Sequence, residues 1–103
     1  MKRLRFHPEA LDELDAVVAY HEGERVGYGA LLFDEVSRRV GQATRLPRSG
    51  TRVTGFPEAL DVRQFALQRF RYLVIIALVG REHLVIAVAH TAREPGYWRD
   101  RVR

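Results

Sequence analysis

Two nearly uninterrupted apolar runs, Leu73 to Val79 and Leu84 to Ala89, stand on either side of Gly80-Arg81-Glu82. Each is far shorter than the roughly 20 residues of a membrane-spanning helix. Their length, their β-branched content and the glycine between them favour strands joined by a tight turn, so Leu73–Val79 and His83–His90 are expected to form a β-hairpin. A strand with water on one face alternates apolar and polar residues, and these do not. Both faces of the hairpin must therefore be covered. One face has to carry helices, and the other must receive an N- or C-terminal segment of the chain or a partner.

The rest of the sequence supplies such helices. Lys2-Arg3-Leu4-Arg5-Phe6 alternates and predicts a short strand with Leu4 and Phe6 facing inward. Pro8 stops it and suits the first turn of a helix, with Glu9, Asp12 and Glu13 near the positive end of the helix dipole. His7 precedes it, a weaker cap than Ser or Asp. Leu11, Leu14, Val18 and His21 share a stripe, predicting a helix over Pro8–Glu22 that ends near Gly23. Leu32, Phe33, Val36, Val40 and Ala43 predict a second helix over Val26–Ala43, antiparallel to the first. Leu46-Pro47 closes it, because a residue before proline avoids the helical region. A loop marked by Ser49-Gly50, Gly55 and Pro57 reaches to about Leu60, and Val62–Leu67 predicts another strand. The expectation is an α+β fold of order β-α-α-β-β-β, with an N-terminal helical hairpin on a mainly antiparallel four-stranded sheet and a short tail, helical from Tyr97. At 103 residues this is one domain, 1–103.

Charge is distributed unevenly along that order. Residues 61–103 hold eight arginines (63, 69, 71, 81, 93, 99, 101 and 103) against four acids, whereas residues 1–60 hold nine bases and nine acids. The net charge of +4 thus belongs to the C-terminal part. Sixteen of the seventeen bases are arginine, which fits either an anionic partner or a base-composition bias. No cysteine is present, which excludes disulfides and thiolate chemistry, and the four histidines (7, 21, 83, 90) show no metal-ligand spacing. No cofactor and no metal are expected. The basic start is not followed by an apolar segment, so a cytoplasmic protein without a membrane partner is expected.

The polar residues of the C-terminal part divide into two groups. His90 closes the last strand, Arg93 follows, and Tyr97 and Trp98 come after Pro95-Gly96. A histidine moves protons near neutrality, an arginine stabilises a charged phosphate, and aromatics stack on bases, the ingredients of a metal-independent ribonuclease site. Each also has a structural reading: His90 satisfying a carbonyl, Tyr97 and Trp98 closing the edge of the core. Arg63 and Arg69 bracket the strand of Phe65 and Leu67, on the same face by even spacing. With Arg71 and Arg93 they form either a phosphate- or target-binding margin or a solvated rim. Glu9, Asp12, Glu13 and Asp15, like Arg38 and Arg39, read as helix-surface residues.

Val62-Arg63-Gln64-Phe65, the run Arg69-Phe70-Arg71-Tyr72-Leu73-Val74-Ile75, the strand Val85 to His90 and the cluster Pro95-Gly96-Tyr97-Trp98 together resemble the RelE/ParE superfamily of toxins from type II toxin-antitoxin systems. Phe6-His7-Pro8-Glu9-Ala10 is similar to that family's strand-to-helix junction. Two positions depart from it: His7 where members often have Ser, and Arg71 where they often have Pro. The resemblance implies a growth-inhibiting toxin neutralised by a cognate antitoxin, an acidic or amphipathic segment packing on its basic and apolar surface, with no small-molecule substrate. A ParE-like toxin would inhibit DNA gyrase without chemistry of its own. A RelE-like toxin would cleave messenger RNA on the ribosome, with His90 or Tyr97 as general base or acid and with Arg63, Arg69 and Arg93 holding the phosphate. The spacing of His90, Arg93 and Tyr97 matches no one catalytic signature, so the ParE-like alternative is favoured. A relative that keeps antitoxin binding without toxicity is the third alternative.

Overall fold

The computed structural model describes residues 3–57 and 59–102. Lys2, expected in the first strand, Glu58 in the long loop and Arg103 in the basic tail lie outside the described residues. The elements run β1 (Arg3–Phe6), α1 (Pro8–Glu24), α2 (Tyr28–Arg45), a 3-10 turn (Pro47–Ser49), β2 (Thr51–Arg52), β3 (Asp61–Ala66), β4 (Tyr72–Val79), β5 (Glu82–His90) and a last 3-10 turn (Arg99–Val102). The sheet has five strands rather than the expected four, in the order β1-β5-β4-β3-β2. The extra one is Thr51 and Arg52, paired antiparallel with Gln64 and Arg63. Two residues are too few to carry an alternation, so pattern alone does not reveal this strand.

The central hairpin forms as expected. Tyr72 pairs with His90 and Val79 with Glu82, which leaves Gly80 and Arg81 as the turn. Gly80 has φ 59°, and no other residue type among the described residues has positive φ. That is the pattern of a type II′ turn, whose first position requires glycine. Ile75 faces Ala87 and Ile76 faces Val85, so Ile86 is an unpaired bulge residue. As a result Ile86 and Ala87 both bury on one face, while Val85 and Val88 bury on the other.

Short-range capping shapes the helical hairpin. The His7 imidazole does cap α1, its Nδ1 accepting from the Glu9 N–H at 3.1 Å. α2 is preceded by Gly27, φ 91°, which has no side chain to cap it. Glu22 of α1 supplies one, its carboxylate accepting the N–H groups of Gly27 at 3.1 Å and Gly29 at 3.0 Å. A methyl group on Gly29 would lie 2.8 Å from the Val18 carbonyl oxygen, so this close crossing requires glycine.

Two apolar layers enclose the sheet. On the helix face Leu14, Leu32, Val36 and Val40 pack against Phe65, Val74, Ile76, Val85 and Val88. On the other face Val62, Ile75, Ile86 and Ala89 lie under Trp98, with Val53, Phe56, Leu60 and Val102 beside it. The second cover therefore comes from the chain's own C-terminal segment together with the loop before β3. Three expected core residues are instead largely exposed: Leu4 (44%), Leu11 (47%) and Phe33 (51%). With Phe6 they line an apolar groove between β1, α1 and α2.

Candidate functional site

Cross-strand pairing places Tyr72, the first residue of β4, opposite His90, the last of β5. The last turns of α1 pass over this end of the sheet, and Tyr20, His21, Arg69, Phe70, Arg71, Tyr72 and His90 line an open recess of about 690 Å³. His21 Nε2 lies 3.1 Å from the Tyr72 hydroxyl. The His90 ring stands edge-on to Tyr72 with centroids 5.1 Å apart, and His21 meets Phe70 in the same way at 5.1 Å. Burial, and secondarily Tyr20, push the Tyr72 hydroxyl above the usual tyrosine pKa. His90 Nδ1 accepts from the Ala92 N–H at 3.0 Å, so in the neutral ring the proton is on Nε2. The β3–β4 turn that presents Arg69 and Arg71 is fixed from behind: the buried carboxylate of Glu35 accepts the N–H groups of Gln68 and Arg69.

A second polar cluster lies where β1 has ended and the edge of β5 is free. β1 pairs only with Glu82 to Val85, leaving the outer groups of Ile86 and Val88 without a strand. Side chains take that place. The Val88 N–H donates to Glu13 Oε1 at 3.0 Å, and Arg101 Nη1 donates to the Ile86 carbonyl at 3.0 Å. Arg101 also grips Glu13 with both terminal nitrogens, at 2.9 and 3.0 Å, and its Nε is 3.3 Å from Glu9. Tyr97 donates its hydroxyl to Glu13 Oε2 at 2.6 Å. The Arg93 guanidinium stacks 3.7 Å above the Tyr97 ring and lies 3.7 Å from Glu13.

The electrostatics follow from this geometry. Burial opposes ionisation of Glu13, but the hydrogen bonds from Arg101, Tyr97 and Val88 outweigh it and hold the carboxyl below the usual carboxylate range. Burial and the Glu13 hydrogen bond push Tyr97 up to about 12. The hydrogen bond to Glu13 raises Arg101 above the ordinary arginine value.

The structure thus separates residues that the sequence grouped. His90 shares the open recess with Arg69 and Arg71, while Arg93 and Tyr97 belong to the Glu13 cluster. Arg63 is held elsewhere, by Asp61 at 3.0 Å and the Gly50 carbonyl at 3.1 Å. β3 ends at Ala66, so the two-residue alternation does not extend to Arg69. Glu13, expected on the helix surface, is instead half-buried at the centre of a network. Sequence offered a signal for His21, a polar residue on the buried stripe of α1, and none for the 88-residue separation of Glu13 and Arg101. Among the described residues no group of three His, Cys, Asp or Glu is placed to hold a metal ion, and no helix is long and apolar enough to cross a membrane.

Two helices on one face of a largely antiparallel sheet, with β1 added parallel to β5, make up a fold that the chain shares with a solved structure of a toxin-antitoxin system. The chain is similar to a chain of the chromosomal ParDE TA system from P. aeruginosa, at 16% identity and a TM-score of 0.69, with 87% of this chain and 96% of that one covered. The archaeal RelE-RelB complex from Pyrococcus horikoshii OT3 aligns at 13% identity and a TM-score of 0.49, covering 90% of this chain and 98% of that one. No protein-family model matches the sequence, and no curated protein does.

Proposed function

We propose that the chain is a single-domain, cytoplasmic toxin of a type II toxin-antitoxin module, and that it acts in the ParE-like manner, inhibiting DNA gyrase by binding. The observation that carries the ParE-like reading is the Tyr97 hydroxyl, donated to Glu13 and pushed up to about 12. A phenol so held is a poor proton acceptor at neutral pH, and Arg93 is stacked on the same ring. Two of the three candidate catalytic groups thus have structural employment. A cognate antitoxin is the partner in this reading. The apolar groove of Leu4, Phe6, Leu11 and Phe33 lies beside an edge strand that carries Arg3 and Arg5, and it suits an acidic, amphipathic segment that folds on binding.

The RelE-like alternative draws on the other site. His21, Tyr72 and His90 beside Arg69 and Arg71 put proton-transfer groups, aromatic surface and cations in one open recess. Expression of the chain alone is expected to slow bacterial growth, and co-expression of the neighbouring small open reading frame to restore it. Under arrest, plasmid supercoiling and transcript integrity are followed in the wild type, His90→Ala and Arg93→Ala. The ParE-like reading expects loss of supercoiling with intact transcripts in all three. Transcript cleavage that disappears in His90→Ala overturns it in favour of the ribonuclease, and undisturbed growth at normal protein levels overturns the toxin reading itself.

A further inference from the structure

On the far side of Arg69 from the histidine recess lies a second, smaller recess of about 330 Å³, lined by Glu35, Arg38, Arg39, Gln42, Gln68 and Arg69. Three of these six residues are arginines and one is an acid, so the recess carries a surplus of two positive charges. The acid does not neutralise them in pairs. Glu35 is 5% exposed and turns its carboxylate to the N–H groups of Gln68 and Arg69, and it forms no ion pair with any of the three guanidinium groups. Arg38 and Arg69 have no acidic partner among the described residues, although Asp34 stands one turn before Arg38 on α2.

Arg39 is already positioned. Its Nη1 donates to Gln42, and its guanidinium lies 5.7 Å from the centre of the Phe65 ring. Its Nε is buried with no hydrogen-bond partner. Cations gathered this way repel one another and keep unused donors, and a single tetrahedral oxyanion relieves both conditions. Gln42 and Gln68 add neutral amides that can donate to the same oxygens. The turn bearing Gln68 and Arg69 is held by Glu35, so the site is formed before a ligand arrives.

We infer that the Arg38, Arg39 and Arg69 recess is an oxyanion site that binds a phosphate group. It lies apart from Arg93 and Tyr97 and adjoins the His90 recess only through Arg69, which lines both, and it does not depend on the toxin reading. The phosphate comes either from the free ion or from the backbone of a nucleic acid strand. The test is an NMR titration of the full chain with inorganic phosphate and, separately, with a ten-nucleotide single-stranded oligothymidylate. Saturable shifts are expected at the Gln68 and Arg69 amides and the Arg39 Nε–H, with chloride at equal ionic strength leaving them unmoved. Arg38→Gln and Arg69→Gln, which change exposed side chains and leave the backbone bonds to Glu35 in place, should each weaken binding roughly tenfold while the remaining spectrum stays unchanged. Saturation by the oligonucleotide at lower concentration than by phosphate identifies the strand backbone as the source, and saturation by phosphate alone identifies the free ion. Shifts that rise linearly for both ligands, or wild-type affinity in both variants, overturn the inference.

Discussion

The two faces of the sheet are closed by different physics. The helix face is sealed by aliphatic stripes of α1 and α2 on Phe65 of β3, alternate residues of β4 and, across its bulge, Val85 and Val88 of β5. The opposite face is sealed by a 3-10 turn and a loop, with Phe56 stacked on Trp98 at 5.9 Å and the Arg99 guanidinium over both rings. Beyond its apolar packing, that second cover is tied to α1 by polar groups: the bidentate Arg101 and the Tyr97 hydroxyl on Glu13. Apolar burial is non-directional and tolerates small shifts, whereas a buried ion pair depends on both partners being present. The helix face should therefore respond to lost volume, and the C-terminal cover to lost charge and to pH.

The largest expected effect is on the helix face. Phe65→Ala removes a ring that is 2% exposed and packed against Gly50, and should lower unfolding free energy by about 4 kcal/mol in urea titrations. A loss under ~1 kcal/mol would mean that this layer is not the main core. Next comes Glu13→Gln, which leaves Arg101, its side chain 11% exposed, with only the exposed Glu9 carboxylate as an acidic partner and should cost about 3 kcal/mol. Adding Arg101→Met to it should recover part of that loss, which a double-mutant cycle reads directly.

Glu13 also predicts the acid side of the stability profile. Its folded pKa lies below 4.5, so its contribution is complete above pH 4.5 and is lost as pH falls through the folded value. Wild type and Glu13→Gln should converge in stability below that pH, and a constant gap down to strong acid would contradict the assignment. A smaller effect belongs to Tyr97, for which Tyr97→Phe should cost about 1 kcal/mol. Its pKa is raised from 10.0 to about 12, so its contribution is full below pH 10.0 and disappears as pH rises through about 12. Phenolate absorbance would follow that titration, and a midpoint near 10.0 would place the hydroxyl in solvent.

The same contrast explains what could be read from the sequence. The hairpin, its turn, both helices and β3 were legible because period and punctuation are local signals. Leu4, Leu11 and Phe33 were misplaced because a 3.6-residue stripe gives a direction but not its width, and the stripe here overruns the sheet into an open groove. β2 was missed for lack of length. At the candidate site, proximity in sequence joined His90, Arg93 and Tyr97, and only the fold reveals that Glu13, far upstream on α1, takes the last two. The recess residues His21 and Tyr72 come from different elements and share no spacing that would announce them.

In the ParE-like reading Tyr97 fastens the C-terminal cover and takes no part in chemistry. The most direct measurement pairs wild type with Tyr97→Phe at matched intracellular levels, following growth arrest, supercoiling and transcript integrity together with the thermal stability of the purified chains. The expected result is a less stable variant with undiminished arrest, lost supercoiling and intact transcripts. A variant of unchanged stability that no longer arrests growth or cleaves transcripts, where the wild type does both, would contradict it.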